Sequence, residues 1–573
     1  MAPDDESGVA PGSTPIAISV EIATQVFSGS AMHEALPRAL QRRVAELLAA
    51  LGIPGDAAIS ISSSQHSPDD GRVLKLTIDG HPCDYPDELL GWVCSYVTGQ
   101  HLDAGASPTA AVEELRRGSQ PLSDDGYDDD ARATEFVTLA CEEIIKANST
   151  LLLGPSQLAA YRASLPSPNS LAGGVADGSV TDTIRLRRIL HAVLELGLSI
   201  ADRQIIADAL AANAQQTVED ATEELIDTLV PSTIEIQLPV EYLREVTAEP
   251  TTVPSQLYTF VREGLFVELG VKFPPFRFVP AAHLRPRSFA FKIAHLPTLP
   301  LLGLAPEQCL VNDTIDRLAL NKMNATAATN PATGQPSSMM ALESAPRAEA
   351  AGLTTWNNAG HLMLSFAAAL RKHARLVIHR AGVQRELDAL AQVFPALVMT
   401  SRSLVGVSRL TSVLRALVGD EISIRNLRRI LERALDYEGG PGDASGLLAF
   451  IRRGLSHQLK HKYARGTETV VVYLVDPKIE EIIGRLPSES TGAATSPRED
   501  ESSGILHAIR SELAYLPRTA QTPALLTTSD ARAKLRLVIR SQFPRLPVIT
   551  FDDLPADTNV QPIARISLSP QQA

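Results

Sequence analysis

No uncharged apolar run of about 18 residues, the length a membrane-crossing helix needs, occurs anywhere in the sequence. The opening Met1-Ala-Pro-Asp-Asp-Glu is acidic, with neither the basic start nor the apolar stretch of a signal peptide. A soluble, cytoplasmic chain is therefore expected. Cysteine is scarce: 573 residues hold only Cys83, Cys94, Cys141 and Cys309. No two form a C-x-x-C pair and none has a histidine at ligand spacing, so reduced thiols, buried or half-buried, are expected in place of a disulfide scaffold. Positive charge is also in deficit. Lys and Arg total 52 against 66 Asp and Glu, a net charge of −14, which argues against a general nucleic-acid binder.

Catalytic signatures are missing as well. There is neither a G-x-x-x-x-G-K-[ST] phosphate loop nor a G-x-S-x-G nucleophile elbow. Gly439-Gly440-Pro441-Gly442 follows a helical pattern and reads as its terminator. His457 and His461 are four apart, but Lys460 lies between them and the metalloprotease glutamate is absent, so they read as a solvated basic face. His361, His373 and His379 have the wrong spacing for a ligand set. The run from Asp124 to Asp130 lacks the glycine and terminal glutamate of a calcium loop and reads as a solvated linker. No catalytic set, cofactor or metal site is expected, and the chain reads as non-enzymatic.

What is present is a long, ordinary globular composition, 44% hydrophobic and 21% charged, enough for several domains. Five segments have the composition of flexible boundaries: residues 1–14, 124–130, 166–181, 324–338 and 487–504. Between them, Ile16–Ile22, Ala57–Ile61 and Val73–Ile78 read as strands, and Leu36–Leu51 as a helix ending at Gly52. Phe136–Ala147, Pro155–Leu165, Ile184–Leu196 and Ile200–Ala212, the last behind Ser199 as N-cap, read as helices. The programme then restarts. Thr233–Leu238 and Phe289–Ile293 read as strands and Val261–Leu269 as a helix ending at Gly270. Leu362–Val377, Gln384–Val393, Leu410–Val418 and Ser423–Leu435 read as helices. Landmarks match in order: Leu51-Gly52 with Leu269-Gly270, Ile145-Lys146 with Leu370-Arg371, Ile189–Leu194 with Val413–Val418, and Ser199-Ile200 with Ser423-Ile424. A tandem duplication is expected.

After Val470 comes a unit without an earlier counterpart: an apolar strand Val470–Val475, a helix start at Asp476-Pro477, short strands at Pro523–Leu526 and Pro547–Phe551, and a helix over Ala531–Gln542. The expected fold is α+β and multi-domain, with two copies of an α/β domain followed by a helical domain, then a small C-terminal α/β domain. The boundaries are a flexible start at 1–14, α/β copy 1 at 15–102, an acidic linker at 103–130 and helical copy 1 at 131–217. Copy 2 has its α/β domain, with an inserted subdomain, at 231–350 and its helical domain at 351–466; the last domain is 467–573. Residues 402–466 carry twelve basic against six acidic side chains. Arg425, Arg428, Arg429 and Arg433 on one helical stretch give an alternative reading, a nucleic-acid-associated regulator. No aromatic residue lies among them to stack on bases, and a solvated outer face is the simpler reading.

Val413–Glu432, which runs VLRALVGDEISIRNLRRILE, resembles a signature block of the FHIPEP family, the FlhA-type export-gate proteins of flagellar and injectisome type III secretion. Glu268–Pro275, Leu370–Ala374 with Val383-Gln384, Asp476-Pro477 and Pro523–Pro555 resemble further family segments, in family order, over residues 232–573. Ile189–Leu210 resembles the signature block more faintly. The resemblance implies an α/β domain with an inserted subdomain, a helical domain and a terminal α/β domain. It implies a role in protein export, docking or scaffolding partners such as export substrates, chaperones or secretion-apparatus components. Self-association and a place beside a membrane-bound assembly are implied too. The family's docking cleft carries a "DPAFGL" loop, which here corresponds to Asn330-Pro331-Ala332-Thr333-Gly334-Gln335, and a threonine that aligns with Leu364. Asn330, Pro331, Thr333, Gly334 and Leu364 are thus the expected partner-binding residues, although Thr333 replaces the aromatic anchor on which such an interface depends. Family members carry transmembrane helices ahead of this region, where here a diverged second copy is expected, so docking without a channel is implied.

Overall fold

The computed structural model describes residues 14–24, 26, 30–64, 73–86, 88–102, 115, 129–166, 180–247, 254–440, 443–486, 499–516 and 523–568. The segments expected to be flexible at 1–14, 124–130 and 166–181 lie almost wholly outside them, as does most of 487–504. The chain divides into two compact units: Met1–Val253 with Pro274–Phe366, and Pro254–Phe273 with Ala367–Ala573. Among the described residues no helix is long and apolar enough to cross a membrane.

The first unit opens with strand β1 (Ile16–Ala23), whose alternating residues turn Ile16, Ile18, Val20 and Ile22 into the core. Helix α1 (Ser30–Leu51) buries Leu36, Leu40, Val44, Leu47, Leu48 and Leu51 along one stripe. It returns the chain to β2 (Ala57–Ser64), parallel to β1. β3 (Leu74–Ile78) lies antiparallel on the other side of β1, and β4 (His81–Pro82) completes the order β2-β1-β3-β4. Helices α2 (Glu88–Thr98), α3 (Asp129–Ala147), α4 (Pro155–Ala163), α5 (Val180–Glu195), α6 (Arg203–Ala212) and α7 (Val218–Leu229) follow.

Strand β5 (Ile234–Leu238) is followed by helices α8 (Val240–Thr247) and α9 (Pro254–Leu269). With β6 (Phe276–Pro280), β7 (Ser288–Lys292) and β8 (Leu301–Leu302), β5 forms a second sheet of order β6-β5-β7-β8. The first neighbour is again parallel and the others antiparallel, so both sheets have one topology. A third sheet follows: β9 (Gln308–Val311), α10 (Ile315–Leu320), β10 (Thr326–Thr329), β11 (Pro336–Ala341), α11 (Ala345–Ala350) and β12 (Thr355–Trp356). Its order is β10-β11-β9-β12, antiparallel throughout. Residues 324–338 are therefore a hairpin, not a flexible boundary. Their small, polar composition suits an edge strand with one face packed.

Helix α12 (Asn358–Lys372) leads to the second unit, where a further turn, Ala374–Val377, precedes α13 (Arg380–Ala391), α14 (Pro395–Leu404) and α15 (Val407–Gly419). The continuous helix expected over Leu362–Val377 is interrupted at His373, which leaves the helical region at φ −100°, ψ 11°. Helices α16 (Leu427–Leu435), α17 (Ala444–Gly454) and α18 (Ser456–Ala464) complete the helical part. The last part is β13 (Thr469–Val475), α19 (Pro477–Gly484), α20 (Glu499–Ala514), β14 (Ala524–Leu526), α21 (Ser529–Ile539), β15 (Val548–Ile549) and β16 (Asn559–Ile566). Its four strands are parallel in the order β15-β14-β13-β16. Asp476 caps α19 by accepting from the Lys478 amide at 3.0 Å, and Pro477 fills the first helical position, where no amide donor is needed.

Ser199 is not the N-cap the sequence suggests, and Ser423 does not begin its helix. α6 is capped by Asp202, which accepts from the Ile205 amide at 3.0 Å, and α16 by Asn426, which accepts from the Arg429 amide at 3.2 Å. The Ser199 hydroxyl instead donates to the Ala50 carbonyl at 2.6 Å and accepts from the Ala201 amide at 3.1 Å. The Ile200 amide donates to the Leu51 carbonyl at 2.8 Å, and the Ile424 amide to the Leu269 carbonyl at 2.9 Å. Gly52 (φ 78°) and Gly270 (φ 76°) stand at these two junctions. A Cβ on Gly52 would lie 2.3 Å from the Ala201 backbone, and one on Gly270 2.5 Å from the Arg425 amide nitrogen. Only glycine fits on both counts.

Candidate docking site

Strands β10 and β11 pair from Thr326↔Met339 to Thr329↔Pro336 and leave residues 330–335 as the connecting loop. Asn330 starts the loop, with its side-chain oxygen accepting from the Ala332 amide at 2.9 Å. The Asn330 amide donates to the Gln335 carbonyl at 3.0 Å, and the Gly334 amide to the Asn330 carbonyl at 2.8 Å. Gly334 takes φ 71°, in the left-handed region that favours glycine. Thr333 is exposed at the tip, and its hydroxyl accepts from the Gln335 amide at 3.2 Å. Asn330 and Pro331 are buried. Where the resemblance places an aromatic anchor, the loop thus offers a small polar side chain already used within the turn.

Leu364, half-buried on α12, packs with Met339 and Trp356 against a core of Leu304, Leu310 and Ala328. The cluster draws on both strands of the hairpin, through Ala328 and Met339, and on no residue of the loop. Thr333 is not part of that cluster.

The end of α2 meets the same region. The Thr329 hydroxyl donates to the Leu102 carbonyl at 3.3 Å, and His101 Nε2 lies 3.3 Å from the Gly303 carbonyl. The His101 ring stands edge-on to His361 of α12, with centroids 5.7 Å apart and planes at 85°. Burial pushes His101 down to about 4, with Arg287 acting in the same direction and the Gly303 carbonyl opposing. Burial, with a smaller repulsion from His101, takes His361 to about 3. Both imidazoles are therefore neutral at ordinary pH. Arg285 caps the last turn of α2: its guanidinium donates to the Val97 and Tyr96 carbonyls, pairs with Glu135 and lies 5.4 Å from the Tyr96 ring centroid. The sequence reading omitted α2. Its signal was present in the helical spacing of Leu90, Val93, Cys94 and Val97, closed by Gly99 at φ 70°.

The arginines of the alternative reading lie in the second unit, each bound locally. Arg425 donates to the Val267 carbonyl at 3.2 Å, and Arg428 pairs with Glu432 at 2.7 Å and lies 4.6 Å from the Phe394 ring centroid. Arg429 is 3.8 Å from Glu432. Arg433 is 3.3 Å from Asp436 and 4.7 Å from the Phe450 ring centroid. Arg452, counted with the basic face, is 1% exposed and bridges Asp420 and Asp553 at 2.8 Å each. The local excess of positive charge is thus spent largely inside the unit. Among the described residues no group of three or more His, Cys, Asp or Glu is placed to hold a metal ion, and all four cysteines are free and buried.

Three comparisons place this architecture. The FHIPEP family model matches residues 213–559. Low calcium response locus protein D of Yersinia pestis is 26% identical over 344 residues, 59% of this chain and 48% of that protein. Flagellar biosynthesis protein FlhA of Bacillus subtilis is 24% identical over 310 residues, 54% and 45% of the two chains. The chain thus spans about half the length of the curated relatives it matches. Among solved structures, the Chlamydia pneumoniae CdsV protein aligns with a TM-score of 0.54 at 24% identity, covering 58% of this chain and 98% of that one. The likeness establishes a shared fold. With the family model matching more than half of its residues, the chain belongs to the FHIPEP family of type III export-gate proteins.

Proposed function

We propose that this protein is a non-enzymatic docking platform of the type III export-gate kind, which binds export substrates, their chaperones or apparatus components at the hairpin carrying Thr333 and at Leu364. The observation that carries the reading is the family match over residues 213–559, which spans that hairpin and the helical and terminal α/β parts. CdsV of Chlamydia pneumoniae has been solved in complex with CdsO, so the host counterpart of CdsO is a first partner to test. Calorimetric titration of the purified chain with that counterpart, and with host chaperone–substrate pairs, is expected to give micromolar binding, weakened at least tenfold by Thr333→Arg. Absence of binding at about 100 μM of each would sink the reading.

The chain is further proposed to be a tandem duplication in which the first copy ends before a terminal α/β domain. The shared sheet topology and the two glycine junctions support this, because each junction repeats one hydrogen bond, one φ and one close backbone approach. Self-association through the platform is part of the proposal, and light scattering on the full chain checks it.

A further inference from the structure

We propose that Gly99–Leu102, the strap following α2, is a resident occupant of the docking surface formed by the root of the β10–β11 hairpin, β8 and the start of α12. An external protein segment then reaches that surface only by displacing the strap. This inference rests on the docking reading above.

Three observations carry it. First, the strap touches the surface through one backbone carbonyl and one ring, contacts that a short peptide carrying a ring can reproduce. The Leu102 carbonyl accepts from Thr329, and His101 reaches the Gly303 carbonyl while its ring meets His361. Second, the fit is incomplete. His361 Nδ1, on the ring that His101 meets, is buried without a hydrogen-bond partner. Buried polar atoms in a permanent core are almost always satisfied, and an unpaired one costs about 1–3 kcal/mol. A partner segment that accepts from Thr329 in the same way and also offers a donor to His361 Nδ1 would bind in place of the strap. Third, the strap is held at few points: besides the contacts above, the Leu102 amide donates to the Ser95 hydroxyl at 3.2 Å. Gly99 breaks the helix in the left-handed region, Gln100 is exposed, and His101 and Leu102 are half-buried, whereas Val93–Val97 are buried. Segments with few buried contacts open at low free energy. Arg285 fixes the end of α2, so the strap moves about a defined root.

The displacing ligand is therefore a peptide with a backbone carbonyl for the Thr329 hydroxyl, a donor for His361 Nδ1 and an aromatic or imidazole ring. The test uses His101→Ala, which loosens the strap and leaves the surface intact. Hydrogen exchange on the full chain is expected to rise at least tenfold at residues 99–102 and 329–335, with β1–β3 unchanged. A fluorescent peptide copying Tyr96–Leu102 is expected to bind His101→Ala at least tenfold more tightly than the unaltered chain. Unchanged exchange, or equal peptide binding by both forms, overturns the proposal. Should His101→Ala fail to fold, Thr329→Val supplies the exchange measurement with only one hydroxyl removed. The docking reading fails by a separate result, when no external protein partner binds either form.

Discussion

Arg452 shows how far a residue's role depends on what surrounds it. Its guanidinium is 1% exposed, held by Asp420 and Asp553, while Arg532 and Arg536 approach Asp420 at 3.1 and 3.4 Å. Burial alone would raise the pKa of Asp420, but Arg452, Arg532, Arg536 and Lys462 outweigh it and hold the pKa below the usual value. Removing one member strands a buried charge, so Asp553→Asn is expected to destabilise the second unit by about 3–5 kcal/mol in urea titrations. Replacing Arg452 and Asp553 together with apolar residues of similar volume, which leaves Asp420 paired with Arg532 and Arg536, is expected to cost far less. A group with a lowered carboxylate pKa stabilises the fold above its unfolded value, and that stabilisation is lost as pH falls through the folded value. The histidines act in the same pH direction for a different reason. His101 at about 4, with His361 and His373 at about 3, is neutral when folded but titrates near 6.5 when unfolded. Stability is therefore expected to decline as pH falls from 6.5 toward 4. Chemical denaturation across that range checks it, and His373→Gln is expected to flatten the slope. In the sequence His361 and His373 show only the wrong metal spacing and His101 carries no signal; their burial belongs to helices and strands distant along the chain.

At the scale of elements, periodicity located most strands and helices, because an apolar stripe at period 3.6 or 2 is a local property. It misplaced the starts of α6 and α16. Ser-Ile at 199–200 and 423–424 resembles a cap followed by a helix, yet in each case the isoleucine amide donates to an earlier helix end, and the cap lies three residues on from the serine, at Asp202 or Asn426. The partners are Leu51 and Leu269, more than a hundred residues upstream. Gly52→Ala and Gly270→Ala each add a Cβ into a backbone approach of 2.3 or 2.5 Å at positive φ. Each is expected to destabilise its own unit by about 2 kcal/mol or more, measured as separate calorimetric transitions. The β10–β11 hairpin was legible only as low complexity, since Thr, Ala, Pro and Ser also make up linkers. Its pairing to β9 made it a strand pair.

For the whole molecule, charge and topology point the same way. A chain of net charge −14 whose helical arginines are bound locally is expected to give no shift with short duplex DNA even at about 50 mM salt, where counterion release most favours binding. A salt-dependent shift in fluorescence anisotropy would reopen the alternative role. The sequence by itself determined the class of the chain and its likeness to the FHIPEP family, because apolar periodicity and short signature blocks are written in neighbouring residues. Tertiary structure alone decided which polar groups are buried, that Arg452 bridges two aspartates, and that the strap after α2 covers the surface beside Thr329 and His361. These depend on contacts between residues up to about 260 positions apart in the chain, which no local pattern records.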